Sequence, residues 1–224
     1  MFKKLATILA LTSATLFNYG CATYKTISPD SIKPVQPRMF HLQSQIYHQY
    51  PPNFNQLTWQ QAIKCVQTPE QAQDYLNRHM ISRRSPGIDI GGLFITSDNH
   101  ESFKSNHQDR TGVCSDYAIC AAALLSDNNY PPLILALKQN IFNSHGVFIY
   151  RNQKGLFGAL GNTPFHPEYN SINQLAKEFK KQYGWDFKQF AIIDLNKTYP
   201  NQKWIWSDKK LIETHRGIKF HRIK

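Results

Sequence analysis

The sequence predicts an α+β domain in which one helix, opening on a cysteine, packs on an antiparallel sheet that carries a histidine. Three observations lead there. An irregular run closes at Gly112, and the segment from Cys114 to Leu125, CSDYAICAAALL, is rich in Ala and Leu and reads as a buried helix. His145 to Arg151, HGVFIYR, is a run of β-formers that turns at Asn152-Gln153-Lys154-Gly155 and returns from Leu156 to Asn162 as LFGALGN. Further on, INQLAKEFKKQYG from Ile172 has an apolar stripe at Ile172, Leu175, Ala176 and Phe179 with basic residues opposite, the pattern of a helix laid on a core.

Length and charge bound the possibilities. A chain of 224 residues with 41% hydrophobic content has enough apolar surface for one domain with a real core. Its formal charge of +11 points to anionic surroundings: a membrane surface, a cell-wall polymer or nucleic acid. No zinc-type Cys/His cluster, phosphate-binding Gly-rich loop or RNA-binding aromatic signature is present, so nucleic acid is not the expected partner and no metal or cofactor is expected.

The chain begins with an export pattern. Lys3 and Lys4 precede an apolar run from Leu5 to Phe17 that is too short to span a bilayer, and Gly20-Cys21 stands where a small-residue cleavage site is expected. This ending resembles a bacterial lipoprotein signal, which implies cleavage after Gly20 and acylation of Cys21. Asn18 and Tyr19 depart from the aliphatic and small residues which that pattern prefers, and an ordinary secretory signal is the alternative. Residues 1–20 are thus expected to be a signal peptide, 21–40 a lipidated and poorly ordered tether containing Pro29, Pro34 and Pro37, and 41–224 the folded domain. Ala22 after the lipidated Cys implies the outer membrane if the cell has two.

Within the domain, Thr58 with Gln61 forms a capping box, and Thr68-Pro69-Glu70-Gln71 is a second helix start, so two helices are expected over roughly 59–67 and 69–80. Arg83 to Thr111 is a long irregular approach to Cys114 and contains His100 and His107, ordinary surface histidines in such a setting. Cys114 then falls in a first helical turn, where unpaired N–H groups and the helix dipole favour a thiolate, the nucleophilic form; Asp116 in that turn is expected to cap. Leu133 to Lys138 reads as a buried strand, and Phe190 to Leu195 and Lys203 to Trp206 as two more. With the hairpin turn centred between Gln153 and Lys154, His145 lies opposite Asn162 on the same face, within reach of a hydrogen bond; a bulge at Gly155 would shift the pairing by one residue. Cys65 and Cys120 each sit in apolar helical patterns and are expected to stay unbridged. The basic tail from Lys209 is expected to be a solvated terminal face.

A Cys at a helix start, a His at a strand start and an Asn at the end of the partner strand follow one another in papain-like order. Over roughly residues 60–165 the chain resembles the transglutaminase-like superfamily, through Gly112, Cys114, Asp116 and Ala118 in GVCSDYA, His145 in SHGVFIY and Asn162 in ALGN. The resemblance implies a papain-like fold and a catalytic set of Cys114, His145 and Asn162, with Asn162 standing where that superfamily commonly has Asp. Asn orients an imidazole through its carbonyl oxygen but supplies no charge to support an imidazolium. Cys114 would attack an amide carbonyl and the thioester would pass to water or an amine, with Gln108 as a second oxyanion donor beside the Cys114 amide. Two classes stay open: an envelope-anchored cysteine amide hydrolase or transamidase acting on cell-wall peptides or envelope proteins, and a non-catalytic lipoprotein that binds a partner through the same domain.

Overall fold

The computed structural model describes residues 25–35, 54–82, 111–139, 144–198 and 218–224. Cys21, His100, His107, Gln108 and the strand expected at 203–206 lie outside the described residues.

The architecture is α+β. A six-stranded antiparallel sheet is built from β3 (Leu133–Lys138), β4 (Ser144–Arg151), β5 (Phe157–Leu160), β6 (Phe165–Tyr169), β7 (Gln189–Asp194) and β8 (His221–Arg222), in the order β6-β5-β4-β3-β7-β8. On one face lie α1 (Trp59–Cys65), α2 (Pro69–His79) and α3 (Cys114–Leu125); on the other lies α4 (Ile172–Tyr183). A short helix α5 (Leu195–Thr198) follows β7, and β1 (Ile81–Ser82) pairs in parallel with β2 (Thr111–Gly112) to lead the chain into α3.

The helices begin where local chemistry satisfies their first N–H groups. Thr58 Oγ1 accepts from the Gln61 amide while Gln61 Oε1 accepts from the Thr58 amide, the reciprocal pair expected from the sequence. Thr68 caps α2 through the Gln71 amide, and Ser171 caps α4 through the Gln174 amide. At the other end of α4, Gly184 adopts a left-handed conformation (φ 71°), and Trp185 N–H reaches back to the Phe179 carbonyl. This turn folds Trp185 and Phe187 back over Phe179, against the sheet.

Two cores sandwich the sheet. Ala118, Ala121, Ala122 and Leu125 of α3 join Ile134, Ala136, Phe148, Tyr150 and Ile193 on one side. Leu175, Ala176 and Phe179 of α4 join Leu135, Leu137, Val147, Ile149 and Ile192 on the other. Because β4 is covered on both faces, six consecutive residues from His145 to Tyr150 are buried, and the strand shows no apolar and polar alternation.

Two expectations are corrected. Residues 25–35 are not a loose tether: Thr26 bridges to Ile193, Ile27 N–H bonds the Ile192 carbonyl, and Ile32 and Val35 are buried. The folded unit therefore includes residue 25 and does not begin at 41; apolar Ile27, Ile32 and Val35, spaced among the prolines, supply the adhesion. The tail is likewise not a solvated face throughout, since β8 pairs with β7 and Ile218 and Phe220 pack on the core. Two smaller differences concern β7, which ends at Asp194 with Leu195 opening α5, and β6, an edge strand whose exposed His166 and Glu168 and whose Pro167 gave no strand signal.

Candidate active site

Cys114 is the first residue of α3, with Val113 as its N-cap, and its side chain is half-buried. Asp116 is buried and its Oδ2 accepts the Val113 amide at 2.9 Å, the capping role expected of it. Beyond this turn α3 is wholly buried through Leu125, so the helix is anchored along its length and presents its N-terminus at one end of the sheet. A Cβ placed on Gly161 would lie 3.6 Å from Val147 Cγ1 and 3.9 Å from Tyr117 Cβ, so the first turn of α3 abuts the end of β5, where β4 begins. Cys114, His145 and Asn162 thus gather at the same end of the sheet.

The hairpin does not pair them as expected. Asn152 to Gly155 form a turn closed by Gly155 N–H on the Asn152 carbonyl, and Gly155 has φ 79°, a conformation that glycine adopts without strain. The extra residue is a bulge, and the ladder that follows pairs Phe148 with Leu160 and Tyr150 with Gly158. Continued along the hairpin, this register sets Asn162 opposite Gly146 and Thr163 opposite His145. The imidazole accordingly bonds Thr163: Nε2 and Thr163 Oγ1 are 2.7 Å apart, and both residues are buried. The expected contact of His145 with Asn162 is replaced by one with Thr163.

His145 shares its sheet face with Leu137 and Val147, the face covered by α4. Its ring packs against Phe179 at 5.4 Å, Trp185 at 5.0 Å and Phe187 at 6.2 Å between centroids, the last nearly parallel at 12°. In this apolar box burial pushes the imidazole pKa from 6.5 down to about 3, because no described charge compensates a proton there. His145 is therefore neutral at physiological pH. Among the described residues no hydrogen bond joins His145 to Cys114.

Asn162 lies in a different environment. Its neighbour Gly161 is clamped by Gln73 of α2, which donates to the Gly161 carbonyl at 2.9 Å and accepts from its amide at 3.0 Å. Among the described residues Asn162 Oδ1 has no hydrogen-bond partner, and it is buried. Cys65 and Cys120 form no disulfide; burial pushes the Cys120 thiol well up, with the charge of Asp116 adding to it, so this residue is not a second nucleophile. No cluster of potential metal ligands occurs among the described residues.

The domain is α+β, with a cysteine opening a buried helix and a histidine-bearing strand starting beside that helix end. Residues 61–152 match the model of the transglutaminase-like domain, a span that takes in Cys114 and His145 and stops short of Asn162 and Thr163. A comparison with curated proteins found no match. Thr163, Trp185 and Gln73 were not singled out by sequence; a one-residue bulge at Gly155 was the signal that pointed from Asn162 to Thr163.

Proposed function

We propose that this domain carries out thiol-based acyl transfer on an amide, with Cys114 as nucleophile and neutral His145 as its base. The observation that carries this is the placement of Cys114 on the first turn of a buried helix that abuts the β4–β5 end bearing His145, within the stretch that matches a transglutaminase-like domain. In the reaction the Cys114 S–H proton passes to the imidazole as sulfur bonds the amide carbon; the imidazolium then returns that proton to the nitrogen that leaves as the C–N bond breaks. Water or an amine resolves the thioester. Asn162 and Gln108 are assigned as polar groups near this chemistry, Gln108 as an oxyanion donor.

The setting we propose is the cell envelope: export by the N-terminal signal, anchorage through a lipid on Cys21, and a domain facing the periplasm or the cell surface, with the outer membrane the favoured site. Cell-wall peptides are the first candidate substrate and envelope proteins the second, and the positive charge suits both the membrane and anionic wall polymer. No cofactor is invoked, and nucleic acid is not a partner. The mass of the mature protein extracted from membranes tests the anchor, which requires a lipid adduct at Cys21.

The chemistry is tested by incubation with a p-nitrophenyl ester of a short peptide followed by mass spectrometry. A hydroxylamine-labile acyl group on Cys114, absent in Cys114→Ala, is expected; acylation spread equally over Cys65 and Cys114 would overturn it. A second reading, a partner-binding domain without catalysis, is favoured by one observation, the packing of the His145 ring into the α4 face and away from the core that holds α3.

A further inference from the structure

We infer that Thr163, and not Asn162, is the residue that orients His145, holding its proton on Nε2 so that Nδ1 carries the basic lone pair. This rests on the pairing of Cys114 with His145 proposed above. Three features of the hairpin and its cover carry it.

The bulge at Gly155 sets the register, and with it the residue that meets the imidazole. Thr163 Oγ1 stands 2.7 Å from Nε2 in a buried contact, while Asn162 Oδ1 is buried with no partner among the described residues. A side-chain amide that oriented the ring would spend its carbonyl oxygen on an imidazole N–H, and here that oxygen is unspent.

The ring is also held against rotation. Phe187 stacks on it nearly parallel, with Phe179 and Trp185 meeting it at steeper angles, and Phe179 is fully buried. Turning the ring to present the other nitrogen to Thr163 would move it through packed aromatic side chains. Gly184 contributes at a distance, since its left-handed turn brings Trp185 and Phe187 over the ring.

Finally, the hydroxyl matches the electrostatics. An Asp partner would favour an imidazolium at rest, but the site is apolar and burial keeps His145 neutral. A neutral hydroxyl accepts Nε2–H without adding a charge to the box. It leaves Nδ1 as the acceptor for the Cys114 proton and stays bonded when the imidazolium forms. Thr163 is a positioning residue and does not meet the substrate.

The experiment is nitrogen NMR of ¹⁵N-histidine-labelled full-length protein, with alkylation of Cys114 by iodoacetamide as the second readout, in wild type, Thr163→Ala, Thr163→Ser and Asn162→Ala. The expected result is an Nε2–H tautomer for His145 in wild type, kept in Thr163→Ser and Asn162→Ala and averaged between tautomers in Thr163→Ala. Alkylation should fall about tenfold in Thr163→Ala, the equivalent of one hydrogen bond, and recover in Thr163→Ser. An Nδ1–H tautomer in wild type, or a tautomer lost in Asn162→Ala and kept in Thr163→Ala, would overturn the inference. If alkylation proves insensitive to His145→Ala, the thiol and histidine pairing fails while the tautomer shifts still decide whether Thr163 orients the ring.

Discussion

Acid should unfold this protein through His145 in particular, and the size of the effect follows from where the ring sits. The imidazole is 4% exposed, boxed by Phe179, Trp185 and Phe187, and its pKa is depressed to about 3 by burial. Unfolding returns it to about 6.5, so between these values the unfolded chain binds a proton that the folded chain does not, and stability falls as pH falls. The stability is fully present above pH ~6.5 and is lost progressively down to the folded value, at up to about 1.4 kcal/mol per pH unit. At pH 5, still well above the folded pKa, the loss depends on the unfolded value alone and amounts to about 2 kcal/mol relative to pH 7.5. His145→Gln removes the titrating group but leaves an amide able to reach Thr163. Urea unfolding of both proteins at pH 7.5 and pH 5 isolates the term, because all other groups titrate in common. Wild type should lose about 2 kcal/mol more than the variant on acidification. Equal losses would refute the placement of a neutral, buried imidazole in this box.

Other perturbations should read out the same packing. Gly158→Ala would put a Cβ 2.7 Å from Cζ of Tyr150, a ring buried against Tyr130 and Phe148, so urea unfolding should show a loss of about 1–3 kcal/mol from overpacking. Phe179→Ala empties the space between α4 and the His145 ring, and the same assay should register a loss of about 3–5 kcal/mol with a smaller acid dependence, because water reaches the imidazole. Gln73→Ala leaves the Gly161 amide and carbonyl without their clamp and should cost about 1–3 kcal/mol while raising hydrogen exchange at Gly161.

Much of the fold was legible because local chemistry and tertiary packing agree. Thr58, Thr68-Pro69 and Ser171 announce helices that begin at Trp59, Pro69 and Ile172, and Leu133 to Lys138 is the central strand that its apolar run suggested. Cys114 was legible as a helix start because an Ala- and Leu-rich run follows it directly after an irregular stretch, and that run is the buried helix Cys114–Leu125. The partner of His145 was legible only as one of two registers, because a single inserted residue at Gly155 moves every pair beyond it by one and the sequence does not say whether it is there. Nor was the face that His145 takes, since β4 is buried on both sides and its sequence carries no alternation to orient it. The aromatic box was out of reach for a different cause: Trp185 and Phe187 come to His145 through the turn after α4, some forty residues further along the chain.

Whether Cys114 and His145 act together is decided most directly by the rate of Cys114 alkylation against pH, followed by site-resolved mass spectrometry in wild type and His145→Ala. A working pair predicts alkylation near neutral pH that drops at least about tenfold in the variant, as removal of a general base should. Identical profiles in the two proteins, both tracking an ordinary thiol, would contradict it and favour the second reading, a partner-binding domain without catalysis.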